Sequence, residues 1–268
     1  MLRRWCVKKN LAWSLAFLFV VAATAARADD WSKSYPVTGK PDVRVDVEDG
    51  NIDVISSSGK EVHATVVTRG WRIEADGVRI LEEQSGNHVQ IEIKVPHNHI
   101  NFGNHSVKVE LSVPAEADLD LHTGDGNLTA DGVKGRLRFS TGDGNIDAHS
   151  LDGPLFAHTG DGNLKLEGRF QDLEAGTGDG DVQVEAASGS RMGTGWSLHT
   201  GDGNVTLRCA DDLNADLDAH TGDGKIRLDF PITTSGSLKE NTVEGKIGGG
   251  GPTLKMRSGD GDIRIEKL

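Results

Sequence analysis

Aspartate recurs in this chain inside a short turn motif, Thr-Gly-Asp-Gly or a close variant of it. The aspartates of these turns are Asp125, Asp143, Asp161, Asp179, Asp202, Asp223 and Asp260. If the copies stack, the carboxylates form one line with Asp260 further along, and neighbours about 5 Å apart repel by roughly 1 kcal/mol in water. Calcium ions between the carboxylates would offset this repulsion. Hydrogen bonds from the amides of each turn would also do so; we expect this second arrangement and no cofactor.

A histidine-rich segment is the next candidate for chemistry. His97 and His99 would lie on one face of an extended segment, and His105 follows nearby. This spacing suits zinc or copper only if a further ligand arrives from elsewhere. Loops with several histidines are commonly just polar loops, so the metal site is kept as an alternative to a loop without metal.

A second set of histidines precedes the turn threonines directly, and the alternation of side chains points these rings outward. Its members are His122, His158, His199 and His220. We expect these histidines to lie on a solvated sheet face. If the repeats stack into layers, here called rungs, His199 and His220 lie on adjacent rungs. Such a line would titrate at about pH 6–7.

Signatures of common enzymes are incomplete in this sequence. It contains no Gly-x-Ser-x-Gly nucleophile elbow. Gly224-Lys225 and Gly245-Lys246 resemble the end of a P-loop, but isoleucine follows where the motif requires Ser or Thr. The repeated carboxylates occupy the same position in every copy of the turn, which is typical of residues with a structural role. We therefore expect no enzymatic activity.

The residues flanking each turn alternate between apolar and polar with a period of two, which predicts two short strands per copy. The first inward position after the turns is held by Leu128, Ile146, Leu164, Val182, Val205, Ile226, Ile247 and Ile263. The inward parity shifts across the turn, so a corner is expected there, with glycine supplying positive φ. A unit of 18–23 residues cannot bury its own apolar face, whereas stacked units can. The sequence thus predicts an all-β parallel solenoid, with Leu164 between Ile146 and Val182.

The organisation along the chain has three parts. Residues 1–28 are predicted to be a signal peptide, because a basic start precedes an apolar run and an Ala26-Arg27-Ala28 cleavage pattern. Residues 29–268 are predicted to form a single solenoid domain. Within it, residues 29–118 form irregular β-rich initial rungs, and residues 119–268 form the regular repeats. Glu48-Asp49-Gly50-Asn51 is an early relative of the turn that stands alone in sequence, and residues 242–245 are a degenerate copy.

The charge of the chain limits the classes of partner that it can bind, and its cysteine content limits the disulfides that it can form. Removal of residues 1–28 takes away five basic side chains and no acidic one, so the net charge changes from −12 to −17. A chain this acidic is a poor ligand for nucleic acid or for an anionic membrane surface. The apolar run is shorter than the roughly 20 residues of a membrane span. Only Cys209 then remains, so no intramolecular disulfide can form. We expect export without a membrane span, to the periplasm, the cell surface or the medium; an uncleaved N-terminal anchor is the alternative.

At Asp49-Gly50-Asn51-Ile52, Val113-Pro114 and the repeated Thr-Gly-Asp-Gly turns, the chain resembles a bacterial envelope family usually called "putative adhesins", a domain of unknown function. The resemblance spans roughly residues 43–268. It implies a right-handed parallel β-solenoid of the cell envelope and no established catalytic residue. We expect a non-enzymatic adhesin or scaffold whose partner is a glycan, an envelope protein or a second copy. Two alternatives stay open: a carbohydrate-active enzyme on a β-helix, and a metal-binding or envelope-stress sensing module.

Overall fold

The computed structural model describes residues 28–74, 77–96, 105–234 and 240–268. The predicted all-β fold is confirmed, and the described part of the chain contains no helix. Accordingly, it has no helix with the length and apolar character needed to cross a bilayer. The signal-peptide prediction concerns residues 1–28, of which 1–27 lie outside the described residues. The strands are β1 (Ala28–Pro36), β2 (Asp42–Val47), β3 (Asn51–Ser57), β4 (Glu61–Arg69), β5 (Arg79–Ser85), β6 (His88–Lys94), β7 (Ser106–Pro114), β8 (Asp118–Thr123), β9 (Leu128–Asp131), β10 (Leu137–Thr141), β11 (Ile146–His158), β12 (Leu164–Thr177), β13 (Val182–Ala186), β14 (Gly195–Thr200), β15 (Val205–Cys209), β16 (Ala215–Thr221), β17 (Ile226–Leu228), β18 (Ile232–Thr233), β19 (Thr242–Ile247), β20 (Thr253–Ser258) and β21 (Ile263–Lys267).

Two series of paired strands meet at the Gly-Asp-Gly corners, as the alternating flanks predict. We call the strands that enter the corners the pre-corner series and those that leave them the post-corner series. The pre-corner order is β5-β6-β2-β8-β10-β11-β12-β14-β20-β16-β19-β18. The post-corner order is β1-β4-β7-β3-β9-β11-β12-β13-β15-β21-β17. Strands β11 and β12 are long enough to belong to both series.

The sheet is mixed, so the prediction of a wholly parallel solenoid is wrong in this respect. The repeats pair in parallel from β8 to β15, but antiparallel pairs close both ends of the stack. At one end β4 pairs antiparallel with β1 and β7, and β5 pairs with β6. At the other end β19 pairs antiparallel with β16 and β18. Antiparallel neighbours need only short connections, so they can fold back over the ends of the stack.

The order of the rungs in space differs from their order in sequence. The final copy, β20, lies between β14 and β16, so the copy with Asp260 is not at the far end of the line. The early copy around Gly50 does not stand alone, because β2 and β3 pair directly with β8 and β9. The degenerate copy at residues 242–245 forms no corner and lies within β19, since Val243 and Glu244 replace the Gly-Asp of the turn.

The core is a set of continuous columns between the two series. Along the post-corner series the column of Ile52, Leu128, Ile146, Leu164, Val182, Val205 and Ile263 is fully buried. Leu164 pairs with Ile146 on one side and Val182 on the other, as predicted. Each buried aliphatic side chain contributes about 1.5–3 kcal/mol relative to exposure. The columns therefore hold the corners at a fixed spacing, one rung above the next.

Candidate functional site

The glycines of the corners permit neighbouring rungs to approach closely. A Cβ built at Gly162 would lie 2.0 Å from the carbonyl oxygen of Gly144, and one at Gly144 would lie 1.9 Å from that of Gly126. None of these three glycines has a positive φ. The expectation that glycine supplies positive φ at this corner is therefore wrong. Its role here is to omit a side chain that would strike the backbone of the adjacent rung.

The corner threonines connect the rungs from the inside. Thr159 is fully buried, and its Oγ1 donates to the carbonyl oxygen of Gly144 at 2.7 Å. Thr159 Oγ1 also accepts a hydrogen bond from the amide of Gly162 at 3.3 Å, which closes the turn. Equivalent bonds recur at the other corners, including the serine of the last copy, Ser258. A buried hydroxyl with both roles satisfied explains why Thr or Ser is repeated at this place.

The residue after each corner forms a second ladder on the outside. The side-chain oxygen of Asn145 accepts from the amide of Asn163 at 2.8 Å, and further rungs repeat the contact. Two acids, Asp181 and Asp262, take the place of asparagine within this ladder. The amide of Lys225 holds the pKa of Asp262 below its usual range, and the guanidinium of Arg227 adds to the effect.

The turn aspartates project into solvent along the corner. They succeed one another as Asp125, Asp143, Asp161, Asp179, Asp202, Asp260 and Asp223. Within the described residues their side chains accept no hydrogen bond, so the expected bonds from corner amides are absent. The reason is that those amides bond to glycine carbonyls of the adjacent rung, for example Gly178 N to Gly160 O at 2.5 Å. The acid line is thus open to water.

The line of outward histidines is interrupted by other residues. Arg257 lies between His199 and His220, so these two are not on adjacent rungs as expected. His199 lies over Gly176, where a Cβ would be 2.1 Å from the imidazole, and its ring stacks with His158 at 6.3 Å between centroids. Burial lowers the pKa of His199 from 6.5, and the nearby charge of His158 adds to this.

The predicted metal ligands are divided by the limits of the structure. His97 and His99 lie outside the described residues. His105 stacks on Trp71, with ring centroids 4.9 Å apart. Among the residues that the structure describes, no group of three or more His, Cys, Asp or Glu side chains is arranged to hold a metal ion.

An outward row that the sequence reasoning missed crosses the pre-corner series. It is formed by the residues three positions before the corner Thr or Ser, and we call it the variable row. Its members are, in spatial order, Asp120, Arg138, Phe156, Glu174, Ser197, Lys255 and Asp218. Unlike the corner residues, these side chains change in chemistry from each strand to the next. That contrast between repeating and non-repeating positions was the available signal in the sequence.

A groove of about 500 Å³ runs along the centre of the variable row. Arg138, Phe156, Glu174 and Lys255 line it, with Arg136 at its edge. The guanidinium of Arg138 lies 4.2 Å from the centroid of the Phe156 ring, which is a cation–π arrangement. Two adjoining depressions of about 390 and 490 Å³ share Arg136 and Asp172, respectively, with this groove, which extends the concave surface beyond the row.

The segment of chain between the corners at Gly180 and Gly203 is longer than the corresponding segments of the preceding repeats, and it forms a wall beside this surface. Arg191 and Gly193 of the inserted segment bond by their amides to carbonyls of β12. Thr194 donates to Asp172 from its amide at 2.7 Å and from its hydroxyl at 2.8 Å. Both bonds hold the pKa of the Asp172 carboxyl below its ordinary value. This carboxylate is therefore ionised and already engaged within the protein.

These features define an all-β, solenoid-like protein with a structural corner and a chemically varied outer face. Comparison with known families agrees with this class: the Toastrack DUF4097 family model matches residues 32–169 and 158–266. The chain belongs to the Toastrack DUF4097 family, so the predicted membership of an adhesin-like domain family of unknown function is confirmed at that level. No curated protein matches the chain.

Solved structures to which the chain is similar include three bacterial proteins. A "putative cell adhesion protein" from Clostridium sporogenes is 15% identical, with 90% of this chain and 100% of that chain covered and a TM-score of 0.43. A "putative adhesin" from Bacteroides fragilis is 15% identical, with coverages of 89% and 97% and a TM-score of 0.42. A "putative lipid binding protein" from Parabacteroides distasonis is 13% identical, with coverages of 91% and 98% and a TM-score of 0.43.

Proposed function

We propose that this protein is a non-enzymatic, exported protein of the cell envelope that binds a partner through its variable row, as an adhesin or scaffold. The observation that carries the proposal is the division between repeated and non-repeated positions. The side chains of the corner Thr and Asn residues and the backbone of the corner Gly residues are used in contacts between rungs. The variable row makes no such repeated contact, yet it holds an exposed arginine, an aromatic ring and the groove. Exposed, chemically varied concave surfaces are the usual location of binding sites on repeat proteins.

Export is part of the proposal and draws on the sequence. The basic start, the apolar run and Ala26-Arg27-Ala28 favour cleavage before Asp29. The strongly acidic mature chain argues against an intracellular nucleic-acid partner. Intact-mass measurement of protein recovered outside the cytoplasm provides the test. A mass beginning at or near Asp29 supports export, and retention of residues 1–28 contradicts it.

The carbohydrate-active alternative would rely on Asp172 and Glu174, which lie two residues apart on one strand and both line the groove. Glycosidases need one carboxyl group with a raised pKa to act as the general acid. The bonds from Thr194 lower the pKa of Asp172 instead. Asp172 is thereby disfavoured as the general acid, and its Oδ1 already accepts two hydrogen bonds from Thr194, so we propose binding in preference to hydrolysis.

A glycan array tests the proposed function most economically. The mature protein, fluorescently labelled, is applied to the array, and solutions of the glycans that it retains are then assayed for new reducing ends. Retention without turnover supports a binding protein. Release of reducing ends would refute the non-enzymatic assignment. An array signal that is unchanged in a Phe156→Ala variant would refute the placement of the site on the variable row.

A further inference from the structure

The groove on the variable row has a surplus of cations that lack an acidic partner. Within the described residues, neither Arg136, Arg138 nor Lys255 forms an ion pair, although the chain as a whole is strongly acidic. By contrast, two basic side chains just outside the groove form ion pairs, Arg257 with Asp218 and Arg169 with Asp152. Three unpaired cations in one concavity of an acidic protein indicate a site for an anionic ligand.

The net negative charge of the protein does not forbid such a ligand. Charges further away than about 8–10 Å are largely screened at physiological ionic strength, so the groups that line the groove decide. Of the two acids there, Asp172 is bonded to Thr194. Glu174 is exposed and lies on the row between Phe156 and Ser197. The cations thus outnumber the carboxylates that are available to oppose an anion.

The remaining groups favour a sugar as the carrier of the negative charge. Glu174 can accept hydrogen bonds from hydroxyl groups, which sugars offer in abundance and nucleic-acid bases and phosphates do not. The half-buried ring of Phe156 offers an apolar surface for the C–H face of a sugar ring. Arginine is suited to carboxylate and sulfate groups because its fork donates two parallel hydrogen bonds.

The geometry of the row favours an oligosaccharide over a single sugar. From Arg138 to Lys255 the row crosses five neighbouring strands. At about 4.8 Å per strand the distance is roughly 19 Å, which is longer than one sugar ring. Cations stand at both ends of this span, and Phe156 and Glu174 lie between them. Anionic substituents at intervals along an extended chain would therefore meet both ends.

We infer that the groove binds an extended anionic glycan, with Arg138 and Lys255 holding carboxylate or sulfate groups and Phe156 packing against a sugar ring between them. The inference rests on the proposed function and names the ligand class for the same site. It makes Arg136 a further contact at the edge of the groove. It excludes neutral oligosaccharides and nucleic acid as preferred ligands.

Calorimetric titration of the mature protein tests this inference. The probes are a hexameric oligogalacturonate, a sulfated heparin-type hexamer, a neutral chitohexaose and a short single-stranded DNA. Binding of either anionic sugar in preference to the other two probes is expected, and the preferred one identifies carboxylate or sulfate as the recognised group. Equal or tighter binding of the neutral sugar or the DNA, or no binding of either anionic sugar, would overturn the inference.

Variants with a matched control locate the site. Each of Arg138→Gln and Lys255→Gln should weaken binding by about tenfold or more, the size expected for one lost charge-assisted hydrogen bond. Lys165→Gln removes the same charge from an exposed position outside the groove and should leave the affinity unchanged. An equal loss in Lys165→Gln would overturn the inference. Reducing ends released during titration would instead refute the non-enzymatic function, and array signals that depend on Phe156 without anionic-sugar binding would refute only the ligand class.

Discussion

Replacing Gly162 with alanine tests the claim that close approach between rungs, and not positive φ, requires glycine at the corner. The added Cβ would lie 2.0 Å from the carbonyl oxygen of Gly144, whereas ordinary contact begins at 3.4 Å. The two rungs must therefore separate locally by about 1.4 Å, the difference between these distances. This movement stretches the 2.7 Å bond of Thr159 to Gly144 beyond hydrogen-bond range. It does the same to the 2.8 Å bond from the amide of Asn163.

The destabilisation expected for Gly162→Ala follows from the loss of those two hydrogen bonds. The buried hydroxyl of Thr159 left without its partner costs about 1–3 kcal/mol and the exposed bond of Asn163 about 0.5–1.5 kcal/mol, so the loss of both rung contacts should destabilise the protein by about 1.5–4.5 kcal/mol. For a domain of this size the melting temperature falls by roughly 2–4 °C per kcal/mol. Urea unfolding followed by circular dichroism measures the change, and a shifted midpoint with an unchanged slope identifies a change in stability.

Gly59→Ala is the matched control for this experiment. Its Cβ would approach no atom closer than the Ser57 hydroxyl at 3.4 Å, and Gly59 does not have a positive φ. Alanine there should leave the stability unchanged or raise it slightly, because it restricts the unfolded chain. Equal midpoints for Gly162→Ala and Gly59→Ala would refute the close-approach explanation.

Other consequences concern the core, the acid line and the histidine pair. Leu164→Ala should lower the free energy of unfolding by about 2–5 kcal/mol, and Lys165→Ala should change it little, because the first side chain is buried and the second is exposed. Equal melting temperatures for the two variants would contradict the assigned faces. Asp161→Asn should raise stability by about 1 kcal/mol at low salt by relieving repulsion along the open acid line. Millimolar calcium should add nothing beyond its ionic strength, and a rise of more than ~10 °C over a chelated sample would show a calcium site. Because the pKa of His199 is lowered in the folded protein, protonation favours the unfolded state; stability should fall as the pH drops through 6.5 towards the lowered value, and His199→Gln should flatten that part of the profile.

Much of the fold follows from the repeat itself. Period-two flanks around each corner predicted the strands, and the buried Leu164 column is where the pattern placed it. The spatial order of the rungs could not be predicted from the sequence, because every copy presents nearly the same Thr, Gly and Asn edge to its neighbour. β20 therefore has no residue that announces its place beside β14. Antiparallel closure by β19 was missed because residues 242–245 retain the spacing of a turn after losing its Gly-Asp centre.

The candidate site was harder to predict than the fold. Attention to repeated residues led to the turn aspartates, whose side chains accept no hydrogen bond within the described residues. The groove depends instead on Arg138 and Phe156, which are one repeat apart on adjacent strands, and on Lys255, which is distant in sequence and reaches the groove only because the final copy inserts beside β14. The predicted division into a signal peptide and a single domain stays a prediction, and calcium binding stays the untested alternative to the expected absence of a cofactor.

The central claim is that repeated residues hold the fold while the variable row binds the partner. Glycan-array retention by two variants, each first shown to melt near the wild-type temperature, tests it most directly. Phe156→Ala, on the variable row, should lose the array signal, and Asp161→Asn, on the acid line, should keep it. Loss of the signal in Asp161→Asn with retention in Phe156→Ala would contradict the claim and move the binding site to the corner.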